Sequence, residues 1–357
     1  MSALTLYAGP VARDRILQEG INADSFRVLL GASGGPKWFV LYGLDRYLFG
    51  EFFNGRELPL KTLGSSAGAW RLSCLATADP LKALDELAER YANETYSAQP
   101  TTQEITEKMR GLLKGVMGVS GIEELVNNPV IQTHIVADRC RGFGSSTSTA
   151  LRKLFLGSSA ISNVFSRSSL SWFFERAIFS SSYSDDSWNS PDKIQTKLID
   201  LTQGNCLDAL LATGSIPFVL DGVRDIEGSS KGLYLDGGIT DYHFDFKFAE
   251  DDELVLYPHF SPAVIPGWFD KFLPWRKIHD KNFSNVLFLI PSEEFVTSLP
   301  NSKIPDRNDF ANYAEADRLN IWHEVIRRSG ELAEDFAEVV SGPVSPDRIR
   351  DIGELHR

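Results

Sequence analysis

The sequence predicts an α/β fold in which helices cover the faces of a mainly parallel sheet. Apolar segments of strand length alternate with segments of helical periodicity along most of the 357 residues. A Gly-x-Ser-x-Gly sequence at 64–68 lies between a strand-like segment and a good helix former, which is the context of a nucleophile elbow. A second glycine-rich turn, at 31–37, also follows an apolar strand and precedes an apolar helix.

The alternation is regular in the first half of the chain. Strands are expected at 26–30, 58–63 and 130–137. Helices are expected at 38–49, 67–78, 81–91, 103–113 and 122–126. Pro36 suits the first turn of the helix after the glycine-rich turn, because a proline there loses no hydrogen bond.

Residues 141–190 interrupt this pattern, since they combine many serines with aromatic and aliphatic side chains. Within them, residues 151–179 carry four basic side chains against one acidic one, Glu175. Such a segment is either an interfacial patch or lid over an apolar site, or an ordinary helical insert packed on the body.

The alternation resumes after the insert. Strands are expected at 197–201, 232–235, 253–257 and 285–290, and helices at 206–213 and 309–340, the latter interrupted near Gly330. We therefore expect a catalytic domain over 1–300, with the insert at about 141–190, and a helical extension over 301–357 packed on the same domain.

Composition and charge exclude several classes of function. The chain is 43% hydrophobic and 24% charged, as is usual for a globular protein, and its net charge of −12 argues against nucleic acid as a partner. The cysteines are Cys74, Cys140 and Cys206, without the spacing of a metal site or a disulfide framework. The start of the chain does not resemble a signal peptide, and no apolar segment has the length of a membrane span. We expect a cytoplasmic protein without a metal.

The glycine-rich turn does not match a nucleotide site. Lys37 stands between Pro36 and Trp38, so the Walker pattern fails, and the dinucleotide pattern fails as well. No cofactor is therefore expected. Backbone N–H groups of Gly34 and Gly35 can instead bind the oxyanion of an acyl-transfer reaction.

Ser66 is the candidate nucleophile. Gly64 and Gly68 permit the tight turn, and the serine precedes a helix whose free N–H groups favour negative charge. The N–H of Ala67, directly after the serine, is a further donor for an oxyanion.

A serine nucleophile needs a base, and the sequence leaves its identity open. The histidines after the elbow are His134, His243, His259, His279, His323 and His356. His134 lies in a predicted strand and His323 in a late helix, so both suit structural roles, whereas His243 and His259 follow strand-like segments and remain candidates. Asp236 ends a predicted strand and precedes Gly237 and Gly238, where a site of an α/β sheet can form.

Taken together, these elements resemble the patatin-like phospholipases. That family has a glycine-rich oxyanion loop ending in Arg or Lys, a Gly-x-Ser-x-Gly elbow, and an Asp-Gly-Gly or Asp-Gly-Ala element. The matching segments here are 34–37 with Lys37, 64–68, and 236–238, preceded by Ala-Thr-Gly-Ser-Ile-Pro at 212–217. The resemblance covers roughly residues 26–240 without the insert.

The resemblance implies a three-layer α/β/α fold and a Ser-Asp dyad. Ser66 would be the nucleophile and Asp236 the general base of a lipid acyl hydrolase of the phospholipase A or lysophospholipase type, with an acyl-enzyme intermediate. Its substrate would be a lipid or lysolipid, and residues 151–179 would make peripheral contact with a membrane. Lys37 would anchor the glycine loop by bonding its carbonyls, or attract an anionic head group.

Two positions depart from the family pattern. Ser33 replaces the first of three glycines, and Trp38 replaces the glycine after the basic residue, so this loop reaches its geometry with less conformational freedom. Two other functions remain open at this stage. The chain could be a Ser-His-Asp esterase acting on small soluble esters, or a catalytically weak lipid-binding protein of the same fold.

Overall fold

Eleven strands form one sheet in a computed structural model that describes residues 2–182, 192–248 and 253–355. The strands are β1 (Leu4–Ala8), β2 (Phe26–Gly31), β3 (Leu60–Ser65), β4 (Ile131–Cys140), β5 (Phe174–Ser180), β6 (Thr196–Asp200), β7 (Val223–Arg224), β8 (Leu233–Asp236), β9 (Leu254–Pro258), β10 (Val286–Pro291) and β11 (Ile349–Asp351). Their order is β11-β1-β10-β9-β2-β3-β4-β5-β6, with β8 paired to β4 and β7 to β8.

The centre of the sheet is parallel, as the alternation of strands and helices predicts. β10, β9, β2, β3 and β4 run parallel to their neighbours in that order. β1 is antiparallel to β10, and β5 and β8 are antiparallel to β4. β9 and β10 are buried along their whole length, as expected of parallel strands covered on both faces. The mixed α/β fold with a mostly parallel central sheet is confirmed.

Twelve α-helices are present in the described residues. They are α1 (Pro10–Glu19), α2 (Tyr42–Tyr47), α3 (Ala67–Leu75), α4 (Pro80–Ala92), α5 (Thr102–Met117), α6 (Gly121–Asn127), α7 (Thr149–Phe165), α8 (Cys206–Thr213), α9 (Glu293–Ser298), α10 (Asp309–Asn312), α11 (Glu315–Arg328) and α12 (Gly330–Val340). Local sequence sets several starts: Asp79, Thr101 and Ser148 accept the first free N–H groups of α4, α5 and α7.

The predicted helix at 38–49 consists of three kinds of helix. A 3₁₀ helix over Gly35–Leu41 leads into α2, and a π-helical turn over Leu48–Phe52 ends it. Gly43 explains part of this irregularity. A Cβ on Gly43 would lie 2.5 Å from the backbone of Ser329 and Gly330, so α2 approaches the start of α12 at a distance that only glycine permits.

The insert at 141–190 contributes a strand to the sheet, which differs from our expectation. Its first part forms α7, but its last described part is β5, which is buried and pairs with β4 along seven residues. Glu175 and Arg176 interrupt the apolar pattern of β5, so the sequence does not indicate a buried strand here. The fold pairs both: Arg139 binds Glu175 at 2.8 Å, and Arg176 binds Asp241 at 2.5 Å and Asp192 at 2.8 Å. Residues 183–191 of the insert lie outside the described part of the chain.

The C-terminal segment is also part of the sheet. α11 and α12 pack on α2 and on the 3₁₀ helix before it, where the ring of Trp322 lies 5.2 Å from that of Phe39. Residues 301–357 were expected to be helical, but they also supply β11, which runs parallel to β1. Neither β1 nor β11 has a pattern that we recognised, because both are short strands at one side of the sheet.

Candidate active site

Ser66 occupies a sharp turn between β3 and α3. Its backbone has φ 55° and ψ −132°, a strained conformation for a residue with a side chain. The neighbouring glycines allow it: a Cβ on Gly64 would lie 2.4 Å from Cα of Ala69, and one on Gly68 would lie 2.0 Å from the carbonyl oxygen of Gly31. The strand, turn and helix of a nucleophile elbow are therefore present.

Asp236 lies beside Ser66. The Ser66 hydroxyl donates a hydrogen bond to Asp236 Oδ2 at 2.9 Å, and Gly238 N–H donates to Asp236 Oδ1 at 2.7 Å. Both side chains are buried. A Cβ on Gly237 would lie 2.2 Å from the carbonyl oxygen of Val136, so the turn after Asp236 packs directly on β4.

Burial raises the pKa of Asp236, while Arg307, the bond from Gly238 and the bond from Ser66 act in the opposite direction. A buried carboxylate that accepts a serine hydroxyl can take up the proton of that hydroxyl.

Thr213 is a supporting residue to which sequence reasoning assigned no role. Its hydroxyl accepts a hydrogen bond from Ser66 N–H at 2.9 Å and donates to the carbonyl oxygen of Val136. Two residues later, the Ser215 carbonyl accepts from Asp236 N–H at 2.9 Å. The segment at 212–217, which contains Thr213, resembles a segment of the family, but the sequence does not indicate which contacts it makes. This segment holds the backbones of Ser66 and Asp236 in register with β4.

The glycine-rich loop lies at the end of β2, next to the elbow. Gly35 has φ +56°, where glycine is favoured, whereas Gly34 is extended at φ −179°. Within the described residues, the N–H groups of Gly34, Gly35 and Ala67 donate no hydrogen bond. Three free donors therefore stand in the loop and at the start of α3.

The two departures from the family pattern have clear places in the structure. Ser33 N–H donates to the carbonyl oxygen of Tyr242 at 3.0 Å, and its hydroxyl donates to Ser65 Oγ at 2.9 Å, which ties the loop to the end of β3. Trp38 is buried, with its ring 5.1 Å from that of Phe39. The Ser33 hydroxyl and the Trp38 ring therefore fix the loop by contacts that glycine cannot make.

Lys37 points to a different side of the loop. Its Nζ lies 5.2 Å from the ring centre of Phe260, and it makes no hydrogen bond to a loop carbonyl within the described residues. Burial lowers the pKa of Lys37, and nearby Asp306 opposes this effect. The position suits a cation stacked on an aromatic ring rather than a carbonyl anchor.

A small cavity opens at Ser66 and Asp236. Its volume of about 20 Å³ is enough for roughly one water molecule. The lining residues come from six parts of the chain: Ser33, Ser66, Ile216, Pro217, Asp236, Gly238, Ile239, Tyr242, Trp268, Lys271 and Arg307. Trp268, Lys271 and Arg307 carried no signal in the sequence, because no motif surrounds them.

The described histidines do not line this cavity. His243 and His259 are buried and pack edge to face at 4.3 Å. Burial lowers the pKa of His243 well below its usual range and lowers that of His259 to about 3. His134 is buried in β4, His323 is exposed on α11, and His279 bonds Asp245 at 2.8 Å. His356 lies outside the described residues.

The described residues contain neither a metal-binding cluster nor a membrane-spanning helix. Over residues 2–182, 192–248 and 253–355, no group of three or more His, Cys, Asp or Glu side chains is placed to hold a metal ion. None of the helices described there has both the length and the apolar character to cross a bilayer.

Comparison with protein families identifies the chain. A model of the patatin-like phospholipases matches residues 54–243, which is more than half of the sequence. The chain belongs to the patatin-like phospholipase family. The match includes Ser66, Thr213 and Asp236 and ends before Lys271 and Arg307.

The other comparisons add little to this assignment. No curated protein matches this patatin-like chain. Among solved structures it is similar to VipD from Legionella pneumophila, with 12% sequence identity and a TM-score of 0.35. The similarity covers 73% of this chain and 54% of VipD, so the chain spans about half the length of that protein.

Proposed function

We propose that the protein hydrolyses carboxylic esters of lipids or lysolipids with Ser66 as nucleophile and Asp236 as general base. The observation that carries this proposal is the 2.9 Å hydrogen bond from Ser66 Oγ to Asp236 Oδ2 at a strained elbow. Family membership supports the lipid ester as substrate.

Acylation begins when the Ser66 oxygen attacks the ester carbonyl and passes its proton to Asp236. The carbonyl oxygen becomes an oxyanion, which accepts hydrogen bonds from the free N–H groups of Gly34, Gly35 and Ala67. The tetrahedral intermediate then collapses: the bond to the leaving oxygen breaks, and Asp236 returns the proton to the departing alcohol. Water repeats the same steps on the acyl-enzyme and releases the fatty acid.

The environment of Asp236 favours this role. An exposed aspartate has a pKa near 3.9 and is a weak base toward a hydroxyl. Burial raises the pKa of Asp236, which makes it a stronger base, and the bond from Gly238 N–H holds it in a fixed orientation. The free N–H groups of Gly34, Gly35 and Ala67 stabilise the transition state as negative charge develops on the carbonyl oxygen of the substrate.

The insert supports action at a lipid surface. The exposed side chains Leu151, Leu154, Ile161, Val164 and Phe165 follow one face of α7 at helical spacing. The opposite face is buried and includes Phe155 and Asn163. An apolar face turned outward is typical of helices that lie in the interface of a membrane. We therefore propose that α7 and the following turn, with exposed Trp172, make the peripheral membrane contact. β5, in the same segment, does not take part because it is buried.

α7 also contacts two of the segments that line the cavity. Asn163 donates to Asp270 at 2.7 Å, between the lining residues Trp268 and Lys271. The guanidinium of Arg152 lies 5.8 Å from the ring centre of Phe218, which follows the lining residue Pro217. A lipid chain does not fit into about 20 Å³, so the segments that line the cavity must separate before the substrate enters.

A fluorophosphonate probe tests the proposal, because it reacts covalently with activated serines. The wild-type protein should be labelled at Ser66, and Ser66→Ala should lose both the label and ester hydrolysis. Ser73→Ala is the matched control: Ser73 is buried in the same helix, and its Oγ has no hydrogen-bond partner in the described residues. A folded wild-type protein that is not labelled overturns the hydrolase proposal and favours lipid binding without turnover.

A further inference from the structure

Two basic side chains face the cavity from segments that the family model does not match. Lys271 lies in the 3₁₀ helix over Trp268–Phe272, and Arg307 lies just before α10. Both line the same small cavity as Ser66 and Asp236.

Aromatic side chains and the glycine loop lie around these cations. Lys271 Nζ lies 3.7 Å from the ring centre of Tyr242, and Arg307 Nε and the Tyr91 hydroxyl both lie next to Gly35. A Cβ on Gly35 would lie 3.2 Å from Arg307 Nε, so the guanidinium rests on the glycine loop. Within residues 2–182, 192–248 and 253–355, neither cation forms an ion pair.

The cavity therefore carries excess positive charge. Its charged lining residues are Lys271, Arg307 and Asp236, and Asp236 is already bonded to Ser66 and Gly238. This contrasts with a net charge of −12 for the whole chain. Burial lowers the pKa of Lys271 to about 7, with Lys37 and Arg307 acting in the same direction and Asp236 against them. A desolvated, unpaired ammonium gains free energy when an anion approaches it.

We propose that Lys271 and Arg307 bind an anionic group, a phosphate or a carboxylate, that the ester substrate carries close to its scissile bond. This inference rests on the proposed function and narrows its substrate class to anionic acyl esters. A guanidinium binds planar oxyanions through two parallel hydrogen bonds, and an ammonium adds a compact point charge. Because both cations line the same cavity as Ser66, the anion must lie close to the ester that reaches Ser66.

A second role for the two cations predicts a different result. Arg307 and Lys271 both act to lower the pKa of Asp236 and so help to keep it ionised. If this were their whole role, their removal would change the hydrolysis of anionic and neutral esters by the same factor. If the cations instead bind an anion of the substrate, their removal changes the ratio of anionic-ester to neutral-ester hydrolysis.

Three short-chain esters test the proposal: hexanoyl glycerol 3-phosphate, hexanoyl glycerate and monohexanoylglycerol. They carry a phosphate, a carboxylate and a neutral hydroxymethyl group at the same position, and they are used below their micellar concentrations so that α7 plays no part. For the wild type we expect kcat/KM for at least one anionic ester to exceed that for the neutral ester by about 10- to 100-fold, as charged hydrogen bonds typically allow. The anionic ester with the larger excess identifies phosphate or carboxylate.

The variants separate the two roles of the cations. Lys271→Met and Arg307→Met should each reduce the anionic-to-neutral ratio by about tenfold, and Arg307→Lys should retain part of it. Lys114→Met, which removes a charge from the exposed side of α5, should leave the ratio unchanged. A wild-type ratio near one, or a ratio that survives both substitutions to Met, overturns the inference.

Binding to Ser66→Ala tests the inference without turnover. Calorimetry with hexanoyl glycerol 3-phosphate, hexanoyl glycerate and monohexanoylglycerol should show tighter binding of an anionic ester, and Arg307→Met in the same background should remove this preference. If no ester is hydrolysed by the wild type but the preference in binding is present, the proposed function fails and the anion site stands. Equal binding of all three esters overturns the anion site.

Discussion

Ser66 Oγ and Asp236 Oδ2 are joined by a 2.9 Å hydrogen bond across 170 residues of sequence. The bond links the end of β3 to the end of β8, two strands that both neighbour β4. Because both strands pair with β4, the distance between nucleophile and base depends on how β3 and β8 are aligned along β4.

Replacing Asp236 by Asn should reduce kcat by about 10²- to 10⁴-fold, the usual contribution of a general base. Asp236 acts as a carboxylate, so wild-type kcat/KM should rise with pH as this group loses its proton. Burial raises the pKa of Asp236, which places the midpoint above the ordinary value of about 3.9. The rate profile against pH measures this, and an acid limb that persists unchanged in Asp236→Asn would assign it to another group.

Thr213→Val should lower both stability and turnover. The substitution keeps the shape but leaves Ser66 N–H without its acceptor, which costs about 1–3 kcal/mol of unfolding free energy. It also loosens the elbow, so we expect slower labelling by a fluorophosphonate. Thr213→Ser keeps the hydroxyl and serves as the control in urea unfolding and labelling. Equal labelling rates for the Val and Ser variants would show that this hydrogen bond does not position Ser66.

Gly68→Ala should abolish labelling of Ser66 and destabilise the fold. The new Cβ would lie 2.0 Å from the carbonyl oxygen of Gly31, and backbone atoms cannot move aside as a flexible side chain can. Gly111→Ala is the matched control, since a Cβ there meets nothing within 4 Å on the exposed side of α5. It should stabilise the protein by up to about 1 kcal/mol. Full activity of Gly68→Ala would contradict the close packing of elbow and β2.

Arg176→Leu should lower the unfolding free energy by about 3–5 kcal/mol. Arg176 is buried and pairs with Asp241 and Asp192, so its removal leaves buried carboxylates with less compensation. Thermal and urea unfolding measure the loss. Arg327→Leu removes an exposed pair with Glu324 and should leave the melting temperature unchanged. Similar small effects of both variants would mean that the buried pairing adds no stability.

Phe165→Asp should weaken binding to lipid vesicles. Phe165 is 84% exposed at the end of the apolar face of α7, and a carboxylate there opposes insertion into the interface. Val119→Asp adds the same charge at an exposed apolar residue far from α7 in sequence, and it should bind vesicles as the wild type does. Flotation with phosphatidylcholine vesicles measures the difference. If Phe165→Asp instead changes the oligomeric state and leaves flotation unaltered, the face of α7 binds a second copy rather than lipid.

The sequence predicted those parts of the site whose geometry depends on residues next to each other in the chain. The elbow at 64–68 and the turn after Asp236 need glycine because backbone approaches within van der Waals distance, and these glycines are visible without a structure. β9 and β10 were predictable because they are buried along their whole length and are therefore uniformly apolar.

Residues that act by long-range placement left no such signature. Lys271 and Arg307 are ordinary charged residues in segments of low regularity, and the cavity brings them together through tertiary structure alone. β5 was concealed because Arg176 and Glu175 break its apolar pattern, although the partners that neutralise them lie on β4 and beyond β8. Pattern reasoning cannot recognise a buried charge until its counter-charge is located.

The position of β2 in the sheet limits how this protein can be dissected. β2 lies between β3 and β9, and its Gly31 packs on Gly68 of α3. A fragment cut to the family-matched residues 54–243 would lack β2, the glycine loop and the wall that carries Lys271. Excision would therefore expose the inner edge of β3 and yield an insoluble product rather than a minimal enzyme. Expression designs and domain fusions should retain the segments on both sides as one cooperative unit.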